Sequence, residues 1–455
     1  MIARKLVRTR IIVPAACGEM IKPPTLSARL TPALLCGWWI AHLLLVFFAQ
    51  TQPQGTSAVA NGTWQTQIQV VGFAIIGALH IRSGVGPAVS RRNLAILSTF
   101  AVYIIWSAAS LLWTDQPAMT VRRLGVLILT VIGGYGLGFG YYGRLRDGVV
   151  SYARHLLAAG VISAILLACH SYADLATARW LDSSWVIRNR GVFSEFTAAN
   201  AYAMLSVVYL FWRRPWRMFC WGLPLVAAFL LTKSRSVAGF AAVTILLLFI
   251  LLRKGNRTVR VISGLALASL VFAAVLSNAP YWNGGAESGG AVSTLQSIIP
   301  VFEGEGTSTI DSMNGRIPLW NVVLQYSTVH PWQGYGYGAF WSPNRLLDIW
   351  NRIGWLAPSA HDGLLDEVLG TGFIGLFLLL LSWGIAMKRC LSLLINRGLP
   401  SAGLVFCFLF LTLLYNFSTS IFQFPFAVPF IASLVGLCAL LGQTSVPRVK
   451  TRKSI

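Results

Sequence analysis

Of the 455 residues, 56% are hydrophobic and only 11% are charged, and the apolar residues recur in long runs, giving far more apolar surface than one soluble core can bury. The composition excludes an ordinary soluble domain and predicts an all-α polytopic membrane protein. The formal net charge of +22 does not point to nucleic acid, because the basic residues cluster in short segments between apolar runs, the pattern of the positive-inside rule.

Residues 1–32 carry Arg4, Lys5, Arg8, Arg10, Lys22 and Arg29 around a short apolar patch at 11–16. That patch is too short for a signal-peptide core, so the segment reads as a basic cytoplasmic tail. Nine spans are then expected within 33–277, near 33–50, 66–81, 93–113, 124–142, 155–172, 197–212, 218–232, 236–252 and 259–277. A large outer loop, 278–362, separates them from three further spans at 363–387, 402–416 and 420–442, and residues 443–455 form a second basic tail. This makes about twelve helices, with the large periplasmic loop between helices 9 and 10. With the N-terminus inside, the cytoplasmic segments collect most of the 36 Lys and Arg against only two acids, Glu19 and Asp147. Both termini are therefore expected in the cytoplasm. The stretch 218–252 is interrupted only by TKSRS at 232–236, and charge parity decides that it is two helices. One long helix would put Arg253, Lys254, Arg257 and Arg260 outside and invert every later loop.

The large loop starts rich in Gly, Ser and acids and becomes more ordered at DSMNGRIPLWNVVLQYS. There Ser312 or Asn314 can cap a short helix, Pro318 suits its first position, and Leu319, Val322, Val323 and Tyr326 share an apolar face. Another outer loop, 173–196, contains RWLDSSWVIRNRGVFSEF.

Arg190, Arg235 and Arg316 each fall at or just outside a predicted helix end on the outer side. Guanidinium groups suit bidentate binding of phosphate oxygens, but interfacial arginines also anchor helices or pair with acids such as Glu195 and Asp311. Spacing alone leaves both readings open. Arg345 and Arg352 are expected to be plain interfacial anchors. His361, in APSAHDGLLDEVLGTGFIG, precedes a long apolar helix whose N-terminus favours a neutral ring, while Asp362, Asp366 and Glu367 push the other way. It is either a general base or a hydrogen-bonded structural group. In HPWQGYGYGAF (330–340), glycines 334, 336 and 338 alternate with Tyr335 and Tyr337, whose rings can stack on sugars or belong to an interfacial aromatic belt. His330 opens that turn and is assigned no proton transfer. No HExxH, CxxC, Walker or GxGxxG pattern occurs, so neither metal nor nucleotide cofactor is expected, and the seven scattered cysteines read as packing residues.

Taken in order, WSAASLLWTDQPAMTVRR (106–123), RNRGVFSEFTAAN (188–200), TKSRSVAG (232–239), NGRIPLWNVVL (314–324), HPWQGYGYGAF and AHDGLLDEVLGTGFIG (360–375) resemble the O-antigen ligase and polysaccharide polymerase superfamily of bacterial inner membranes. The resemblance covers roughly residues 93–387. It implies a metal-independent glycosyltransferase without cofactor, with its site facing the periplasm and two substrates: an undecaprenyl-diphosphate-linked oligosaccharide and a glycan or lipid A-core acceptor. It further implies contact with membrane lipid and with a chain-length regulator protein. By the same resemblance Arg235 and Arg316 hold the diphosphate, Arg190 assists, and His361 is the general base. One departure is Asp362, where the family often has asparagine; a carboxylate there can raise the histidine's pKa. GYGYGAFW (334–341) is most similar to exopolysaccharide polymerases of the succinoglycan type, which favours polymerase over ligase. A reading from another class is a non-enzymatic lipid-oligosaccharide flippase or transporter, which would place polar groups at mid-membrane and show similar halves. The expected spans are nearly free of charge and the halves differ.

Overall fold

A computed structural model describes residues 71–72, 74–75, 77–79, 91–138, 145–176, 192–232, 235–252, 316–354, 357, 359–417, 419–420 and 428–441. Among these the regular structure is entirely helical: α1 (Arg91–Ala109), α2 (Pro117–Gly136), α3 (Leu145–Ala176), α4 (Val192–Phe211), α5 (Pro215–Thr232), α6 (Arg235–Leu252), α7 (Arg316–Ser327), α8 (Pro343–Ile353), α9 (Gly363–Arg397), α10 (Pro400–Asn416) and α11 (Val428–Leu441), with a 3-10 turn at Ser110–Leu112. The spans expected at 33–50 and 259–277, both tails and loop residues 278–315 lie outside the described residues, and 66–81 is described only in pieces. Among the described residues three helices, within Pro117–Gly136, Leu145–Ala168 and Gly363–Arg397, are long and apolar enough to cross a membrane.

Helix α10 is the hub. Almost all of its side chains are buried, and it packs on α3, α4, α6, α9 and α11. Tyr152, Tyr202, Phe406, Phe408 and Tyr415 fill the centre and are almost wholly buried, as large aromatics are only in a close-packed interior. Polar cross-links fix the register of that core: Tyr202 Oη and Thr412 Oγ1 lie 2.8 Å apart, Tyr209 Oη and Ser401 Oγ 3.0 Å, and Asn200 Nδ2 donates to Ser163 Oγ at 3.3 Å. Small residues bring backbones together where Gly160 meets Ala203 and Gly138 meets Gly436. The periphery is apolar and open at Ile105, Ile128, Ile132, Ile165, Phe219, Trp221, Leu246, Phe373 and Phe377, a lipid-facing surface and not a soluble one.

Residues 233–234, where charge parity puts the break, lie outside the described residues; α5 and α6 on either side of them each pack on α4. Helices α6 and α10 run antiparallel: Gly403, near the start of α10, lies against Leu251 at the end of α6. The opposite end of α10, at Asn416, crowds Gly363 at the start of α9. Arg235, which opens α6, is thus at the same end of the bundle as the start of α9.

That end carries a small cap. Helices α7 and α8 pack together and α7 rests on α9, around a core of Leu319, Val322, Val323, Phe340, Trp341, Leu346, Ile349 and Leu369. The predicted apolar face of α7 is the buried one. Its start differs by two residues, since α7 begins at Arg316 and Pro318 sits in its first turn and not at its first position. Ser312 and Asn314 lie outside the described residues.

Helix α9 is broken at Gly372, whose φ of 72° and ψ of −176° are open to glycine alone. A break leaves carbonyls before it and N–H groups after it without helical partners, which is costly in a dry environment. The glycine-rich segment supplies those partners. Tyr335 N donates to Leu369 O and Gly336 N to Gly370 O, both at 2.9 Å; Phe373 N donates to Pro331 O at 2.8 Å; and Trp106 Nε1 donates to Thr371 O at 2.9 Å. Gly334 comes so close to Gly370 that an added Cβ would lie 2.6 Å from its carbonyl carbon.

Candidate active site

The turn entering α9 places a base, an acid and an arginine together. Asp362 caps the helix, its Oδ1 accepting from Leu364 N at 2.8 Å and Leu365 N at 3.1 Å. His361, just before it, has a φ of 52° and is the one non-glycine residue with positive φ among the described residues. That conformation costs roughly 1–3 kcal/mol and persists only where the surroundings enforce it. The enforcement is visible. Ala360, wholly buried, accepts at its carbonyl from Trp320 Nε1 of α7 at 2.8 Å and donates its N–H to Asp366 Oδ1 at 3.1 Å. His361 N donates to Ser359 Oγ at 3.2 Å. Asp366 also accepts from Trp341 Nε1 at 2.7 Å and from Ser420 Oγ.

Arg316, at the first position of α7, is the charge that acts on this turn. Burial first, and then the guanidinium of Arg316, lower the pKa of His361 to about 4, so the ring is neutral at ordinary pH. The expectation that Asp362 raises it is corrected. The Asp362 carboxylate is turned to the α9 N–H groups, burial raises its own pKa, and the hydrogen bonds from Leu365 and Leu364 and the charge of Arg316 oppose that rise. Burial also lowers the pKa of Arg316, against the pull of Asp362 and Tyr415. Arg316 is therefore near enough for its charge to act on a neutral His361 ring. Such a pair can accept a proton from one partner and stabilise negative charge on another. Among the described residues no three His, Cys, Asp or Glu side chains converge as metal ligands would.

Residues 219–380 match the family model Wzy_C, described as O-Antigen ligase. That segment is similar to the O-antigen ligase family, and the match supports the resemblance to the O-antigen ligase and polysaccharide polymerase superfamily. No curated protein matches the chain. The matched segment includes α6, α7, α8, the glycine-rich loop and the first half of α9. His361 and Arg316 both lie in it.

The other expected site residues fare differently. Arg235 opens α6 at the site's end of the bundle, while Arg190 lies outside the described residues. Tyr337, expected to contact sugar, is 4% exposed and packed among Tyr103, Leu124, Leu127 and Leu379. Tyr335 lies under the guanidinium of Arg345, 4.4 Å from its ring centre, with Tyr326, His330 and Phe340 at its edges. Its stacking partner is within the protein.

Arg345 is likewise no plain anchor. It donates to Ala339 O and Phe340 O, both at 3.2 Å, and pairs with Asp115. Sequence reasoning passes over Trp320, Trp341 and Ser420, which hold the His361 turn. Their only signal is a donor type able to reach a buried carboxylate or carbonyl, and nothing in sequence tells which of 17 tryptophans does so.

Proposed function

We propose that this protein is an inner-membrane glycosyltransferase that polymerises the repeat units of an exopolysaccharide or O-antigen from an undecaprenyl-diphosphate-linked oligosaccharide at the periplasmic face. The observation that carries the reading is the left-handed His361 held at the Asp362-capped entry to α9, within the charge of Arg316 and inside the segment that matches the ligase family. An acceptor hydroxyl attacks the anomeric carbon and its proton goes to His361. The new C–O bond forms as the bond from that carbon to phosphate oxygen breaks, and the diphosphate leaves with the electron pair. Arg316 stabilises the charge that develops on it, with Arg235 and Arg190 as further contributors, and no step calls on a metal.

The description of the matched family favours a second reading, transfer of the glycan to lipid A-core by a ligase, which uses the same groups on another acceptor. One experiment tests both. Purified protein is supplied with defined lipid-linked repeat units, with and without lipid A-core, and the products are resolved by size. Polymer in the absence of core is the expected result; product only when core is present makes the protein a ligase. His361→Ala is expected to lose roughly a hundred- to ten-thousandfold in rate while still accumulating in the membrane. Near wild-type product from that variant removes the base from the scheme.

A further inference from the structure

The glycosyltransferase reading uses His361 and Arg316 but leaves Asp366 unassigned. Asp366 is 1% exposed and lies one turn into α9. A carboxylate in such a place is retained only if its oxygens are satisfied, and here the donors come from outside its own helix. Ala360 N belongs to the turn that carries the base, Trp341 Nε1 comes from the loop before α8, and Ser420 Oγ follows α10. The carboxylate therefore joins three separate segments at the residue next to His361. Ala360 is gripped from the other side as well, through its carbonyl, by Trp320. A peptide held at both its N–H and its C=O has little freedom to rotate, and the left-handed His361 that follows inherits its orientation.

We infer that Asp366 is a positioning residue for the general base, fixing the Ala360–His361 backbone so that the imidazole stays aimed into the site beside Arg316. The role rests on the proposed reading of His361 as base. What it requires of Asp366 is acceptor geometry and not charge. An asparagine side chain at this position keeps an oxygen for Ala360 N and Trp341 Nε1, and its amide can donate to the Ser420 hydroxyl, which accepts as readily as it donates. Alanine and leucine supply no acceptor at all.

The test compares Asp366→Asn, Asp366→Ala and Asp366→Leu at matched membrane levels, with the lipid-linked repeat unit as substrate, measuring turnover, KM and the pH profile. Asp366→Asn is expected to keep most of the activity. Asp366→Ala and Asp366→Leu are expected to lose about a hundredfold in kcat, the cost of a base displaced by about an ångström, with KM little changed. The pH profile separates positioning from general stability. The base works only when neutral, so activity falls as pH drops through its pKa. Arg316 from α7 is the charge that acts on His361, Asp362 and Tyr415 act in turn on Arg316, and none of these is altered by the substitution. The titratable Asp366 is lost in all three variants, so Asp366→Asn, which keeps the turn, gives the reference acid limb. A released turn gives the ring more water, raises its pKa from about 4 toward the free value, and so moves the acid limb of the alanine variant to higher pH.

Wild-type turnover in Asp366→Ala, an unmoved acid limb, or an asparagine variant as inactive as alanine each overturns the inference. His361→Ala is run in parallel. Full activity there overturns the base reading and this inference with it, whereas an inactive His361→Ala beside a normal Asp366→Ala overturns the inference alone.

Discussion

At the scale of single residues, the site separates arginines by what surrounds them. Arg352 pairs with Asp348 at 2.9 Å on the exposed face of α8, an i,i+4 surface pair worth at most about 1 kcal/mol. Arg345 is clamped between two carbonyls, a carboxylate and a tyrosine ring, so lysine, with one point charge and no planar fork, cannot replace it. Arg316 is partly buried beside His361, and on the proposed reading it meets a diphosphate with two oxygens at once. Arg316→Lys is therefore expected to lose most of the activity at matched membrane levels, while Arg352→Lys keeps it. Equal behaviour of the two variants in a product assay would remove the phosphate-binding role from Arg316. Arg345 is unsuitable as the neutral control that sequence suggests, because its loss disturbs the loop that supports α9.

At the scale of elements, the break in α9 explains why the glycine-rich loop has its composition. Close backbone approach needs glycine on both sides: Gly334 of the loop lies against Gly370, and Gly372 of α9 lies against the Trp332 carbonyl. Gly372→Ala forces a side chain both into that carbonyl and into a φ that alanine resists. A loss of roughly 2–3 kcal/mol or more is expected, read as a lower unfolding temperature or poor accumulation. Gly384, on the same helix with nothing near its would-be Cβ, is the control, and Gly384→Ala is expected to be neutral or slightly stabilising. Equal stability of the two variants would show that the loop does not bear on the break.

The same break marks where sequence stops being readable. Apolar runs locate the cores of α4, α5, α6 and α10 to within a few residues, because hydropathy is a local property. The runs miss helix ends: α9 continues past Ala386 through Lys388, Arg389 and Arg397 to the left-handed Gly398, and α3 begins at Leu145 within LRDGVVSYAR. Polar residues leave the hydrocarbon without ending a helix. The break at Gly372 is invisible in sequence, since DEVLGTGFIG looks helical until the separate glycine-rich loop supplies its missing partners. His361 and Arg316 are legible as residues, through the motif order, but Asp366 is not. Its meaning lies in donors that reach it from three other segments.

At the scale of the whole molecule, function depends on which side of the membrane the cap occupies. The end of the bundle shared by α7, α8, the start of α9 and Arg235 is expected to face the periplasm, because basic residues gather towards the opposite ends of these helices: Arg213 and Arg214 between α4 and α5, Arg217 in the first turn of α5, and Lys388 and Arg389 late in α9. A lipid-linked glycan assembled outward needs its diphosphate at that same surface, so topology and chemistry stand or fall together. Cysteines placed at Ser342, which caps α8, or at Leu347, on its exposed face, test this directly in intact spheroplasts treated with an impermeant thiol reagent. Leu347→Cys is the better probe, since Ser342 is buried. It is expected to label before lysis, and a cysteine at Gly255, between the spans expected from sequence at 236–252 and 259–277, only after it. Cys220 is exposed in the structure and must be replaced first to clear the background. The reverse pattern would put His361 and Arg316 in the cytoplasm, where an outward-assembling polymerase could not use them.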